Sequence, residues 1–268
     1  MQKPVDFHMH TAASEDSEAS PDSMCLAAIE QGLYAIAITD HVEMIGYQEN
    51  GYDQAMALSW QYSCEMQHKF NGRLRIAKGI ELGQPLYSLA EAEAILDNHA
   101  YDFILYSQHK LSDDIDYYFY DYSNVNIKES MDAYFDAVYQ GVLWGRFHSL
   151  AHLTYPFRYM PDHLRPKNYK PWQDRIDAIF KLLADTDKAL EINTSGMRNP
   201  SLNCCHPDAT LVKRFKELGG EKITVGSDAH APGDVGAHIA DAVEIAKTAG
   251  FQYITAYFGG TAEMIKIG

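Results

Sequence analysis

Two histidines near the start of the chain, in VDFHMH, have a type and a spacing that suit metal chemistry. Side chains alternate between the two faces of an extended segment, so His8 and His10 leave one side of a strand and Met9 leaves the other. Imidazole nitrogen is a common ligand of transition metals. One H-x-H pair alone fits metal ligation and a pair of hydrogen-bonded turn histidines about equally well, so the rest of the chain has to decide.

Further residues able to bind a metal follow apolar, strand-like segments along most of the chain. IAITDH ends with Asp40 and His41, AKGIELG contains Glu81, FILYSQHK contains His109, SLAHLTY contains His152, and ITVGSDAH ends with Asp228 and His230. The carboxyl ends of parallel strands meet at one face of a barrel, where enzymes of this architecture build their active sites. Together with His8 and His10, these residues predict a metal site at that face.

The elements that would position these residues are repeated units of β-strand and α-helix, typical of a parallel α/β fold. We place strands at about 5–10, 35–40, 76–82, 103–108, 149–153, 189–194 and 223–227, with an eighth candidate near 252–257. Ser20 and Pro21 predict the start of the first helix and Gly32 follows its end, while Ser88 and Glu91 form a capping-box pattern. The sequence thus predicts a parallel (β/α) barrel of seven or eight units that occupies residues 1–268 as a single domain.

Two long segments between predicted elements are rich in aromatic residues: SDDIDYYFYDYSN after the fourth strand and YPFRYMPDHLRPKNYKPW after the fifth. Long loops in a compact barrel usually carry function. The first segment is also acidic, and it suits either contacts to a cationic substrate group or a solvated loop.

Composition and charge limit the classes of function. Of the 268 residues, 46% are hydrophobic and 22% are charged, as in an ordinary globular protein, with no tract that would span a membrane. No basic and apolar leader precedes the first predicted strand. The adjacent pair Cys204 and Cys205, among four cysteines, argues against a disulfide framework and for the reducing cytoplasm. A net charge of −15 argues against binding to nucleic acid or an anionic membrane, whereas a small anionic substrate fits if metals or arginines reverse the local field.

The remaining histidines fall elsewhere, and we interpret them as structural or solvated. His68, His99 and His238 lie in or beside predicted helices, His163 lies in a polar loop, and His148 just precedes a strand. His206 precedes Pro207 at a helix start, where it faces either a helix cap or the pocket, and we leave it outside the predicted site.

The ordered set of motifs resembles that of the PHP (polymerase and histidinol phosphatase) superfamily, and within it the histidinol-phosphate phosphatases. The motifs run over nearly the whole chain: H-x-H, T-D-H, G-I-E, Q-H, A-H-x-x-x-x-x-R, E-I-N-T-S-G-x-R and G-S-D-A-H. The resemblance implies a distorted (β/α)7 TIM-like barrel that holds three divalent metal ions. It assigns His8, His10, Glu81 and Asp228 to one ion, Glu81, His109 and His152 to a second ion that Glu81 bridges, and Asp16, His41 and His230 to the third.

The chemistry implied by this resemblance is metal-dependent phosphate hydrolysis. Asp16, in SEDSE, stands where many superfamily members have histidine and where the histidinol-phosphatase type often has aspartate. Imidazole and carboxylate ligands without thiolates fit Zn, Mn or Fe and do not choose among them. Closely spaced ions imply attack by a metal-bridging hydroxide, with Glu81 and Asp228 as catalytic ligands. Arg158 and Arg198 are expected to bind phosphate oxygens with their guanidinium forks, as catalytic and substrate-binding residues.

The reaction expected from these residues is hydrolysis of a phosphate monoester, specifically L-histidinol phosphate to L-histidinol and phosphate in histidine biosynthesis. A PHP phosphoesterase acting on nucleotides or oligonucleotide ends is an alternative, and the acidic charge and two loop arginines favour a small monoester over it. An amidohydrolase is a further alternative, although such barrels usually bridge their metals through a lysine, where this chain has Glu81. A noncatalytic metal-binding barrel is the alternative from a different class. The sequence predicts no oligomeric state.

Overall fold

The computed structural model describes residues 3–111 and 115–268, so positions 112–114 of the acidic aromatic segment lie outside the described residues. The strands are β1 (Val5–Asp6), β2 (Ala35–Ile38), β3 (His41–Glu43), β4 (Arg75–Gly83), β5 (Phe103–Ser107), β6 (Ser149–Leu150), β7 (Ala189–Asn193), β8 (Ile223–Gly226), β9 (Tyr253–Phe258) and β10 (Thr261–Lys266). The α-helices are α1 (Pro21–Glu30), α2 (Tyr52–Lys69), α3 (Leu89–Asn98), α4 (Ile127–Trp144), α5 (Tyr155–Tyr159), α6 (Gln173–Asp185), α7 (Ala209–Glu217) and α8 (Ile239–Ala249).

Parallel strands form the barrel in the order β1-β2-β4-β5-β6-β7-β8, and β3 pairs with the end of β4. The barrel closes between its first and last strands, because the N–H of Phe7 donates to the carbonyl of Val225 (2.9 Å) and the N–H of Asp228 donates to that of His8 (2.8 Å). Every residue of β2, with the sequence AIAI, is buried, as expected where helices cover a parallel sheet. The structure confirms the predicted α/β barrel and gives it seven units.

The eighth strand candidate forms β9, but this strand lies outside the barrel. It pairs antiparallel with β10 through the turn Gly259–Gly260, where both glycines have positive φ angles (57° and 69°). A two-residue hairpin turn requires this backbone conformation, which glycine adopts without steric cost. The N–H of Gly259 donates to the carboxylate of Asp102 (2.7 Å) just before β5, so the hairpin packs at the amino-terminal ends of the barrel strands. The opposite ends, which carry the predicted ligands, stay open.

Helix starts agree with the sequence in one case and differ in another. Pro21 is the first residue of α1, and the side chain of Ser20 accepts a hydrogen bond from the N–H of Ser23 (3.2 Å). Ser88 occupies the N-cap position of α3, where a 3-10 turn leads into the helix, but its side chain makes no capping hydrogen bond to the backbone and instead donates to the carboxylate of Glu91. In the two described ranges, no helix is both long enough and apolar enough to cross a lipid bilayer.

Candidate metal centre

His8 and His10 project to the same side of the chain, as their spacing predicts. Their Nε2 atoms lie 3.1 Å apart. His8 Nδ1 donates to a carboxylate oxygen of Glu191 (2.7 Å), and His10 Nδ1 lies 3.1 Å from the hydroxyl of Ser14. Burial and the neighbouring imidazole of His230 hold the pKa of His10 well below its usual range. Both rings are thus fixed through Nδ1, which leaves each Nε2 directed at the cluster.

Glu81 lies at the centre of the cluster, fully buried on β4. Its Oε1 atom is 2.9 Å from His152 Nε2 and 3.2 Å from His109 Nε2. Its Oε2 atom is 3.2 Å from His8 Nε2 and 2.9 Å from His41 Nδ1. The two carboxylate oxygens therefore face two different sets of imidazoles.

The last barrel strand and the loop after β1 supply the remaining predicted ligands. Asp228 Oδ1 lies 3.4 Å from His10 Nε2. Asp16 Oδ2 lies 3.0 Å from His230 Nε2 and 3.7 Å from His41 Nε2. The side chain of Asp16 is 53% exposed, so this third group is at the solvent side of the cluster. All nine side chains predicted as ligands are brought together.

The donor atoms in this cluster fit divalent cations. In the described part of the chain, four groups each bring three ligand atoms within 4.8 Å of one another: His8, His10 and Asp228; His8, Glu81 and His152; His41, Glu81 and His109; His10, His41 and His230. Mixed imidazole and carboxylate donors suit Zn²⁺ and similar ions. Two imidazole nitrogens that face each other across 3.1 Å need a proton or a cation between them.

Burial and close pairing set the charges in the cluster. Burial alone would raise the pKa of Glu81, but the imidazoles of His8, His41 and His109 hold it well below its usual range. Burial likewise opposes protonation of His109, yet the carboxylates of Glu43 and Glu81 raise its pKa to about 10. The carboxylates are therefore ionised at neutral pH and attract positive charge, whether protons or metal ions.

Two predicted ligands have a backbone conformation that is costly for residues other than glycine. The φ angles of His152 and Asp228 are 27° and 55°, in the left-handed region. Such strain persists only where the surroundings determine it, and it is concentrated at functional sites. The N–H of His152 donates to Glu191 (2.9 Å) and the N–H of Asp228 donates to the carbonyl of His8, which holds both residues in place.

Two buried carboxylates that were not predicted from the sequence hold the candidate ligands in place. Glu43 accepts a hydrogen bond from His109 Nδ1 (2.8 Å), and Glu191 accepts from His8 Nδ1 and from the backbone N–H of His152. Such partners fix the orientation of a metal-binding imidazole. A charged residue inside an apolar strand is the sequence feature that could have indicated both carboxylates. Glu191 lies in the E-I-N-T-S-G-x-R motif, and Glu43 follows His41 by two residues on β3.

Asp40, a metal-capable residue by its type and its position after β2, has a different environment. Its carboxylate accepts hydrogen bonds from the hydroxyls of Thr11 (2.9 Å), Ser14 (2.9 Å) and Ser59 (2.6 Å). It belongs to none of the metal-capable groups formed by the described residues. Asp40 therefore anchors the loop after β1 to α2.

A cavity of about 890 Å³ opens above the cluster, and both predicted arginines line it. Arg158 Nη1 donates to Asp228 Oδ2 (3.0 Å). Arg198 donates to the backbone carbonyls of Ser227 (2.6 Å) and Asp228 (3.0 Å). Their side chains are 24% and 22% exposed. The two guanidinium groups thus lie on either side of Asp228 and remain accessible from the cavity.

The acidic aromatic segment reaches the mouth of this cavity through Asp116, Tyr118 and Phe119, which we call the mouth segment. Asp116 Oδ1 accepts hydrogen bonds from the N–H of Tyr118 (2.7 Å) and from the hydroxyl of Tyr155 (2.8 Å). Tyr118 and Phe119 are 61% and 76% exposed, which is unusual for large aromatic side chains. The mouth segment therefore offers a carboxylate and two accessible rings to whatever enters.

The other histidines belong to none of the metal-capable groups formed by the described residues. His68, His163 and His238 are exposed, and His99 packs against Trp60. His148 Nδ1 accepts from the N–H of Ile104 (2.9 Å), a structural role, as predicted. His206 is also buried, and its Nδ1 is hydrogen-bonded to the hydroxyl of Thr154 (2.9 Å), two residues after the candidate ligand His152.

Comparison with known proteins agrees with this geometry. The model of the PHP domain family matches residues 6–195. A histidinol-phosphatase from Lactococcus lactis subsp. lactis is 29% identical, covering 96% of this chain and 95% of its own length. A probable histidinol-phosphatase from Thermotoga maritima is 28% identical, covering 93% of this chain and 94% of its own.

One solved structure extends the comparison to three dimensions. The crystal structure of histidinol phosphate phosphatase from Lactococcus lactis, complexed with zinc, L-histidinol and phosphate, aligns with a TM-score of 0.82 at 28% identity. The alignment covers 97% of this chain and 99% of that one. Since the family model spans well over half of the sequence, this chain belongs to the PHP domain family.

Proposed function

We propose that this protein is a metal-dependent phosphoric monoester hydrolase that converts L-histidinol phosphate to L-histidinol and phosphate. The observation that carries the proposal is a cluster of eight metal-capable side chains next to a cavity that Asp16 and the two arginines line. The similarity to a phosphatase whose crystal structure contains zinc, L-histidinol and phosphate supports this substrate. Membership of the PHP family favours this chemistry over that of an amidohydrolase.

We assign three divalent ions, Zn, Mn or Fe, to the cluster. The first would be held by His8, His10, Glu81 and Asp228, the second by Glu81, His109 and His152, and the third by Asp16, His41 and His230. The two oxygens of Glu81 face different imidazoles, which supports its assignment as a bridge. When bound, such ions supply the acidity that makes water a nucleophile near neutral pH and the positive charge that offsets a phosphoryl group.

The protein's own residues would bind the two ends of the substrate. Arg158 and Arg198 present guanidinium groups to the cavity, and such groups pair with phosphate oxygens through two parallel hydrogen bonds. Asp116 and the rings of Tyr118 and Phe119 would receive the alcohol, because a carboxylate attracts an ammonium group and aromatic faces attract cations. The mouth segment therefore favours a small cationic alcohol over a polyanionic nucleic acid.

The test is phosphate release by the metal-loaded protein from histidinol phosphate, nucleoside monophosphates and short DNA. We expect the highest kcat/KM for histidinol phosphate. Preferential turnover of a nucleotide or of DNA ends would establish the alternative substrate class. No release from any ester by protein with a complete metal content would overturn the proposal and favour a noncatalytic metal-binding barrel.

We also propose a cytoplasmic location. Cys25, Cys64, Cys204 and Cys205, all in the described ranges, are free thiols, which suits a reducing compartment.

A further inference from the structure

His206 is a buried side chain to which the proposed chemistry assigns no role. It is 4% exposed and is absent from the metal-capable groups formed by the described residues. Its Nδ1 atom is hydrogen-bonded to the hydroxyl of Thr154 (2.9 Å). Its other edge packs on Gly196, where an added Cβ would clash with the carbonyl oxygen of Cys204 and come within 2.5 Å of His206 Nε2. The ring is therefore placed between two turns, and one of them needs glycine to admit it.

The backbone of His206 is fixed to the end of β7. Its N–H donates to the carbonyl of Asn193 (2.8 Å), and its own carbonyl accepts from the N–H of Asn193 (3.0 Å). The side chain of Asn193 in turn donates to Asp228 Oδ2 (3.3 Å). The imidazole is thus held by a rigid strand end rather than by a mobile loop.

Each turn in contact with His206 carries one of the two arginines. Thr154 directly precedes α5, which contains Arg158, and Gly196 belongs to the 3-10 turn Ser195–Arg198. Both guanidinium groups reach Asp228 from these turns, one through its carboxylate and the other through its carbonyl. The ring therefore lies between the two turns that carry the arginines.

The ring does this without adding charge. Burial, together with the nearby guanidinium of Arg158, lowers the pKa of His206 to about 3. The imidazole is therefore neutral at physiological pH, and its contribution is hydrogen bonding and shape.

We infer that His206 is a positioning residue that sets the spacing of Arg158 and Arg198 and so the affinity of the site for a phosphoryl group. The inference rests on the proposed function, in which both arginines bind phosphate. Changes at His206 should then weaken the binding of inorganic phosphate and of every phosphate ester to the same extent. Metal content and the preference among the alcohol groups of the esters should not change.

The experiment measures binding of inorganic phosphate to the zinc-loaded protein by calorimetry and its inhibition constant against an aryl phosphate. His206→Phe keeps a ring of similar size but removes Nδ1, and Thr154→Val removes the same hydrogen bond from its other side. Each should raise the dissociation constant for phosphate by roughly three- to tenfold, the effect of one hydrogen bond. The double variant should show no larger loss than either single variant, and His206→Asn, which keeps a polar atom near Nδ1, should recover part of the affinity.

His148→Phe is the matched control, because His148 is also a largely buried histidine with a hydrogen bond through Nδ1, but lies at the start of β6. It should leave phosphate affinity unchanged. Unchanged phosphate affinity in zinc-loaded Thr154→Val and His206→Phe, or loss of zinc from both, would overturn the inference. Failure of the unmodified protein to hydrolyse any ester would instead overturn the proposed function, and the calorimetric comparison would still test the spacing of the arginines.

Discussion

Replacing Glu81 with glutamine is expected to lower kcat by more than about a hundredfold. The change preserves shape but converts one carboxylate oxygen into an amide nitrogen, and each oxygen faces two imidazole nitrogens within 3.2 Å. An amide nitrogen does not bind a cation, so the ion on that side would lose a carboxylate ligand together with the water activation that depends on it. A charged contact of about 3 kcal/mol that acts in the transition state corresponds to more than about a hundredfold in rate, because about 1.36 kcal/mol changes a rate tenfold.

The assay measures phosphate release at saturating histidinol phosphate, with metal content per chain determined by mass spectrometry on the same sample. Glu263→Gln is the control, since it makes the same chemical change on β10, where the carboxylate pairs with Arg75 (2.9 Å). That variant should keep both its turnover and its metal. Normal turnover of Glu81→Gln with a complete metal content would refute the bridging role.

Three further predictions concern the metals, the phosphate and the protons. Protein purified without chelator should carry close to three divalent ions per chain, and chelation should abolish turnover until Mn²⁺ or Zn²⁺ is restored; a fully active metal-free sample would contradict this. Arg158→Ala should lower kcat/KM for histidinol phosphate and for an aryl phosphate alike by roughly ten- to a hundredfold, and Arg158→Lys should recover only part of the lost kcat/KM. A loss confined to histidinol phosphate would show that Arg158 contacts the alcohol instead. Nearby carboxylates outweigh burial and raise the pKa values of His8, His41 and His109, so these rings are protonated at neutral pH in chelator-treated protein. Zinc must displace these protons, so zinc affinity should rise with pH. Calorimetry that detects no proton release on zinc binding would oppose the assignment.

The clustering of the candidate ligands could be predicted from the sequence because strand direction converts position along the chain into position in space. His109 and His152 each follow an apolar run, and parallel strands bring such ends together whatever the details of packing. Their hydrogen-bond partners are a different matter. Glu43 meets the ring of His109, and Glu191 meets the backbone N–H of His152, only through tertiary contacts between strands, which residue spacing does not encode.

Two other features depended on competing interactions that no local pattern separates. The segment that forms β9 has the composition of a barrel strand, and the turn at Gly259–Gly260 directs it into a hairpin instead. Asp40 and Glu81 both follow apolar runs, but three hydroxyls from Thr11, Ser14 and Ser59 occupy the carboxylate of Asp40. Which carboxylate remains available to a cation is thus decided by tertiary structure.

The junction between β1 and β8 has a consequence for the order of folding. His8 and His10 lie on one side of this junction and Asp228 and His230 on the other, far apart in the sequence. During synthesis, the chain must therefore leave the ribosome as far as His230 before these four side chains can meet, and contacts between such distant segments form slowly. Uptake of metal would then mark the final step of maturation, and the bound ions would oppose reopening of the barrel where it closed last.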